Sequence, residues 1–459
     1  MKNKINKLFD IIYSIPVLTG IVIAQPIIDI GTYFSKEIFN TASIGSFFRI
    51  LLLVYALIYL FFSKSKKLKK TSICYLLALC IFAIANIAIN FDKSYIFIDI
   101  KNIIKLLYFP IILMFFIKYV CDTKKFITVN TLNINTIIIS TVTIIAKLTG
   151  SVVCSYGTNC TKGFMGWFYS ANEIGIICIL LYAVTLYIFF ETKFSFLSTV
   201  SLIMILYTCL SIGTKASYLG VIVITTIMLI IQILRLLVNR KKEQVHGTIM
   251  CILIEIMIIL LTPSTPVCFN NYLLFKDYGF YCKIPIDSKT TNVEEIKSNV
   301  EKEINNSKNL PKNDKVSEIL NGRDKFKEDK KDLLVKRELK EKTFGLGYSS
   351  YAIANNSKEK IIERDYYDLL YEYGYVGFIL TLLPAVSMLL YLVTKRIKKI
   401  SSILSLSNIL IVAVLIAFAG AHIAGHVLFA PAVTTYISLL LAFLLSAELK
   451  NNNEAFNKK

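Results

Sequence analysis

Apolar blocks of about twenty residues follow one another along most of the chain, and they limit its fold more than any other feature. A hydrocarbon core ~30 Å thick is crossed by about 20 residues of helix, and backbone facing lipid must pair within its own segment. Candidate spans fall at 8–28, 44–62, 72–91, 103–120, 126–148, 173–190, 194–212, 217–238, 247–267, 373–393, 403–421 and 431–447, about twelve in all. The fold class that follows is all-α: a polytopic integral membrane protein with one large hydrophilic loop. Composition agrees, at 55% apolar and 18% charged, where soluble domains average ~45–50% and ~25%. A disordered chain, a small disulfide scaffold and an ordinary cytosolic enzyme are excluded.

The net charge of +20 is distributed as topology requires rather than as nucleic acid would. The segment 268–372 is nearly neutral, with 20 basic and 19 acidic residues. The excess sits in short clusters between apolar runs: Lys2, Lys4 and Lys7; 63–70; Lys124 and Lys125; 239–242; 395–399; Lys458 and Lys459. Threading twelve spans puts all six clusters on one side, which the lysine and arginine excess marks as cytoplasmic. Both termini are therefore expected inside, in the cytoplasmic (plasma) membrane. The first span lacks a small-residue cleavage site and carries Pro16 and Pro26, so it reads as a retained anchor.

Three parts follow: a membrane domain of about nine spans (1–267), an extracytoplasmic loop (268–372) and about three further spans (373–459). A loop of that length is expected to fold or act. Val293, Ile296, Val300 and Ile304 recur at helical spacing, and Phe326, Leu333, Leu334 and Arg337 suggest a second amphipathic helix. Of ten cysteines, Cys154, Cys160, Cys268 and Cys282 fall outside. They pair there as Cys154 with Cys160 and Cys268 with Cys282, or stay free thiols. No paired C-x-x-C offers a metal site.

Polar residues concentrate between Ile319 and Gly377. The last part is an acidic, tyrosine-rich entry into a helix: Asp365, Asp368 and Glu372 stand at i, i+3 and i+7, with Glu363 and Arg364 just before and Tyr366 and Tyr367 between. Carboxylates at a helix start also satisfy exposed amides and the dipole. Gly345 and Gly347 suit a loop whose backbone approaches something closely. Elsewhere, Gly213-Thr214-Lys215-Ala216-Ser217 puts a cation in a turn, where a snorkelling lysine is the plainer reading. Trp167, the only tryptophan, and Asn172-Glu173 belong to an aromatic segment entering a helix, which interfacial anchoring or a cap also explains. His422 and His426, at i, i+4, suit a polar helix terminus better than a metal pair without a third ligand. Lys147 and Glu255 read as paired or snorkelling residues near span ends.

In this order, the stations resemble the O-antigen ligase and polymerase family of bacterial surface-polysaccharide enzymes. Ser170-Ala171-Asn172-Glu173 resembles its small-residue-Asn helix start, and Thr214-Lys215-Ala216-Ser217 its Thr-x-Ser-Arg-Gly turn. Asn321-Gly322-Arg323 resembles its Gly-Arg element, and Gly345 to Gly377 its G-x-G, catalytic helix and Glu-x-Gly-x-x-Gly signature. Two departures stand out. Eleven residues before Gly374, where many members carry His followed by Asn, this chain has Glu363 and Arg364. Lys215 stands where arginine is common, a point charge in place of a fork.

The resemblance implies a GT-C-like membrane glycosyltransferase without metal or cofactor. Its donor would be a glycan on undecaprenyl diphosphate, joined to an acceptor sugar hydroxyl at the outer face, with flippase and chain-length regulator proteins as further partners and no nucleic acid. Glu363 is the first candidate for the base and Asp365 the second. Arg323 is the candidate for the diphosphate, helped by Lys215 and Arg364. Tyr366, Tyr367, Tyr348 and Trp167 offer faces to sugar rings; Asp368, Glu372, Asn172, Gly345 and Gly347 complete the binding set. Inversion at the anomeric carbon is implied by the family. Polymerase is favoured over ligase, since nothing points to a particular final acceptor. The competing class is a transporter of lipid-linked sugars, for which Pro16, Pro26, Pro110 and Pro384 would break helices.

Overall fold

The computed structural model describes residues 2–457 except 42, 64, 67, 93, 158–159, 271–322, 349–361, 399 and 424. The stretch from Val293 to Ile304 and the Asn321-Gly322 pair lie outside the described residues. The described residues are helical, with an antiparallel bridge between Cys154 and Phe164. The chain opens with α1 (Lys2–Ile12), α2 (Ile15–Phe39), α3 (Ser43–Phe62), α4 (Lys69–Ile89), α5 (Ile96–Thr123) and α6 (Val129–Leu148). It continues through α7 (Ala171–Glu191), α8 (Phe196–Ser211), α9 (Lys215–Asn239), α10 (Lys242–Leu261) and the short α11 (Pro266–Asn270). Beyond lie α12 (Arg323–Val335), α13 (Leu339–Phe344), α14 (Asp365–Ile397), α15 (Ile400–Ile403), α16 (Asn408–Ile423) and α17 (Pro431–Asn457).

Each of the twelve expected spans falls largely on helix, the first of them across the bend at Tyr13 and Ser14 between α1 and α2. Among the described residues ten segments are long and apolar enough to cross a membrane, while α8 and α16 are apolar but shorter. α5, α7 and α17 form the centre: their spans are mostly buried, and α7 is apolar on every side, as a helix enclosed by others must be. α2, α3, α4, α9 and α10 surround them and expose Ile58, Ile81, Ile84, Leu237 and Leu260 among others. A belt of large apolar side chains of this extent suits lipid and not water. Charges inside the bundle are paired, as intramembrane charges generally are: Arg49 on α3 reaches Asp29 on α2 at 2.6 Å, and Lys118 reaches Asp122 on α5 at 2.9 Å.

The prolines do not break the helices they occupy. α2, α5 and α14 run through Pro26, Pro110 and Pro384, and Pro16 sits at the start of α2, where a missing N–H costs nothing. The interruption falls instead at Gly374 (φ 64°, ψ −172°), inside a helix that starts eight residues before the apolar run. Cys154 and Cys160 form a disulfide, and Cys268 is also disulfide-bonded, while Cys282 lies outside the described residues.

Candidate functional site

Asp365 and Asp368 are spent on backbone. The Asp365 carboxylate, 2% exposed, accepts the amides of His426 (2.8 Å), Val427 (2.7 Å) and Leu428 (2.6 Å), tying the start of α14 to the approach to α17. Asp368 accepts the amide of Ile362 on one oxygen (2.9 Å) and that of Arg364 on the other (3.1 Å). These are the amides on either side of Glu363, whose φ is +61°. A non-glycine residue in the left-handed region is strained unless its surroundings over-determine it. Here they do: Asp368 grips both flanks, and Gly425 lies so close to the Glu363 carbonyl oxygen that an added Cβ would stand 2.3 Å from it. Glu363 itself is half-buried.

Below this turn, the Gly345–Gly347 loop is pressed against the kink of α14. Leu346 and Gly347 donate their amides to the carbonyls of Tyr371 (3.0 Å) and Glu372 (3.1 Å), bonds that the break at Gly374 leaves open. A Cβ on Gly345 would lie 2.2 Å from the Glu372 carbonyl oxygen, and one on Gly374 would lie 2.5 Å from the Gly345 nitrogen. Asn86 of α4 and Asn90, which caps the end of that helix, complete the joint. Asn86 donates to the carbonyls of Phe344 (2.6 Å) and Glu372 (3.1 Å), and Asn90 to that of Gly345 (2.9 Å). Asp99, at the start of α5, accepts the amide of Tyr348 (2.9 Å).

Cations lie on two sides. The Arg364 guanidinium donates to the His422 carbonyl (3.1 Å) and stands over the Tyr367 ring at 4.6 Å; Nε2 of His422 is 3.4 Å from its Nη2. From α12, Lys327 also lies over the Tyr367 ring, 4.5 Å from its centre, and buried Lys330 pairs with Glu372 and approaches Asp368 at 3.8 Å. Tyr366 donates to the Phe418 carbonyl of α16 (3.0 Å).

Glu363, Arg364, Asp365, Tyr366, Tyr367, Asp368, Glu372, Gly345 and Gly347 are thus brought together. Arg323 begins α12, the helix that carries Lys327 and Lys330. Lys215 is exposed at the start of α9, where Thr214 caps the helix by accepting the Ser217 amide (3.3 Å). α9 and α7 start side by side, since Gly175 lies against the Thr214 hydroxyl, and Ile176 packs on Gly420 near the end of α16. The Lys215 turn and the Glu363 turn therefore share one end of the bundle. Ser170, rather than Asn172, caps α7. Trp167 donates to the Ser151 hydroxyl (2.9 Å) and packs edge-on against Phe34 of α2, which makes it an anchor of its own loop. Glu255 accepts from Thr226 (2.6 Å). Among the described residues no group of three or more His, Cys, Asp and Glu side chains is disposed to hold a metal.

Sequence reasoning passed over Asn86, Asn90, Asp99 and Lys330, and set His422 aside. For the asparagines a signal existed: two amides at i, i+4 in an otherwise apolar span need partners there. Lys330 had none, being one lysine in the charged run from Arg323 to Lys331.

A many-spanning helical membrane protein with an acidic, basic and aromatic cluster at one end of its bundle is the class these features define. The model of the family described as O-antigen ligase like membrane protein matches residues 14–452, and the chain belongs to that family. No curated protein and no solved structure matches it. Membership supports, at a coarse level, a membrane enzyme that transfers lipid-linked glycan.

Proposed function

We propose that the protein joins glycan repeat units carried on undecaprenyl diphosphate to an acceptor sugar hydroxyl at the outer face of the cytoplasmic membrane, as a polymerase rather than a ligase. The observation that carries this reading is the Glu363 turn: a carboxylate in a strained backbone conformation, held by Asp368 and Gly425 beside a cluster of cations and tyrosines. Strain kept in place by several independent contacts suits a site more than a scaffold. Glu363 takes the proton of the attacking hydroxyl, a role typically contributing ~10²–10⁴-fold. Asp365, whose oxygens already accept three amides, is the poorer base. Arg323, with Arg364 and Lys215, answers the charge developing on the departing diphosphate. Tyr366 and Tyr367 offer ring faces to sugars. Bond formation to the acceptor oxygen and departure of the diphosphate occur in one displacement, with inversion.

The test is incubation of purified protein with lipid-linked repeat units alone. A ladder of products supports polymerisation; product only on adding a second acceptor favours ligation. The break at Gly374 keeps a transporter reading in view, since transporters interrupt helices at their binding sites. That break lies nine residues into α14 and is filled by protein backbone, which suits a fixed joint better. Carrier movement across liposomes without a new glycosidic bond would decide for transport.

A further inference from the structure

We propose that Lys330 is a positioning residue, whose ammonium clamps α12 to α14 so that the start of α12 lies level with Glu363. The inference rests on the transfer reading above for its consequence, and on geometry for the clamp. Lys330 is 3% exposed in a strongly charged helix whose other described side chains are exposed or only partly buried. Its ammonium pairs with Glu372 and lies 3.8 Å from Asp368, two carboxylates each 2% exposed. The second oxygen of Glu372 has no hydrogen-bond partner, so this ion pair is its side chain's main compensation for burial. Removing one member of a buried pair leaves the other uncompensated, which is far costlier than losing an exposed pair.

The register extends the consequence. Lys327 meets Tyr367, and Lys330 meets Asp368 and Glu372, so the two helices run side by side in the same direction. Residue 323 precedes Lys327 by four positions and Glu363 precedes Tyr367 by four. The first turn of α12 therefore comes level with the Glu363 turn. A helix held at Lys330 and Lys327 delivers its beginning, where Arg323 stands, to the place where the departing diphosphate needs a cation. Asp368 serves both parts, binding the backbone around Glu363 and facing the clamp.

The test compares Lys330→Gln and Lys330→Arg with the parent in detergent-purified full-length protein. Docking is read as the rate of cleavage after Glu328 by a glutamate-specific protease, divided by the rate for the same variant denatured, since residue 330 lies two positions past the cut bond. Function is read as glycan transfer at equal protein abundance. Lys330→Gln should speed cleavage and slow transfer by about tenfold or more each, and Lys330→Arg should restore both to within a few-fold of the parent. Unchanged cleavage in Lys330→Gln, full transfer despite faster cleavage, or no rescue by arginine overturns the proposal. Should Lys330→Gln not accumulate, acylation of the parent decides: Lys330 must resist the reagent while exposed Lys331 reacts, and equal reactivity overturns the clamp. A parent that protects Lys330 and resists cleavage yet transfers no glycan defeats the transfer reading instead.

Discussion

Acidic side chains of the α14 entry divide by what their oxygens already do. Spacing places Asp365, Asp368 and Glu372 on one face, but their partners come from elsewhere: Asp365 binds backbone at 426–428, and Asp368 binds the turn just before it. This is why the cluster was legible in the sequence while its division of labour was not. Glu363→Gln should lower transfer by ~10²–10⁴-fold at equal protein abundance, the loss expected when the group that takes the acceptor proton is removed. Asp368→Asn should act differently. An amide has one acceptor oxygen, so the amide of Ile362 or Arg364 loses its partner at a cost of about 1–3 kcal/mol. Both melting temperature and transfer should fall, measured on detergent-purified protein; a loss of transfer at unchanged melting temperature would contradict the bracing role.

At the scale of elements, apolar length located the ten helices long enough to cross a membrane and the two shorter apolar ones, α8 and α16, since lipid sets one rule for all of them. The joint at Gly374 was not legible, because glycine inside an apolar helix is as compatible with continuity as with a break. The G-x-G loop was read as a close approach, and the structure supplies what it approaches: the Glu372 carbonyl and the kink. Three helices meet there, and Asn86 holds two of their carbonyls. Asn86→Leu makes α4 more apolar, so membrane insertion should be undiminished while the carbonyls of Phe344 and Glu372 lose their donor. Melting temperature should fall, by the ~1–3 kcal/mol of stability such losses cost, and transfer at equal abundance should fall with it. Gly345→Ala should be harsher, since its φ of +93° and the 2.2 Å approach to Glu372 both oppose a side chain. Reduced protein abundance and melting temperature are the readouts, and parent-like values would refute the packing argument.

For the molecule as a whole, everything proposed depends on which side of the membrane the Glu363 turn occupies. The structure fixes relative placement: the part of α14 beyond the break at Gly374 alone rises about 35 Å, so Glu363 and exposed Lys398 stand at opposite ends of an element that outspans a ~30 Å core. Gly163 packs against the backbone of Ile212 and Gly213, which puts the exposed Lys162 beside the Lys215 turn and so at the Glu363 end. Lysine clusters at 395–399 argue for the cytoplasm at the other end. In a background with exposed Cys74 and Cys80 replaced by serine, Lys162→Cys should react in intact cells with a membrane-impermeant maleimide. Lys398→Cys should react only after permeabilisation. On the proposed function, the lipid carriers would present their glycans on the side where Lys162→Cys is labelled, with their diphosphates at the depth of the headgroups. The reverse labelling pattern would put the base and its cations in the cytoplasm, and outer-face transfer would have to be abandoned even with every contact around Glu363 left as it is.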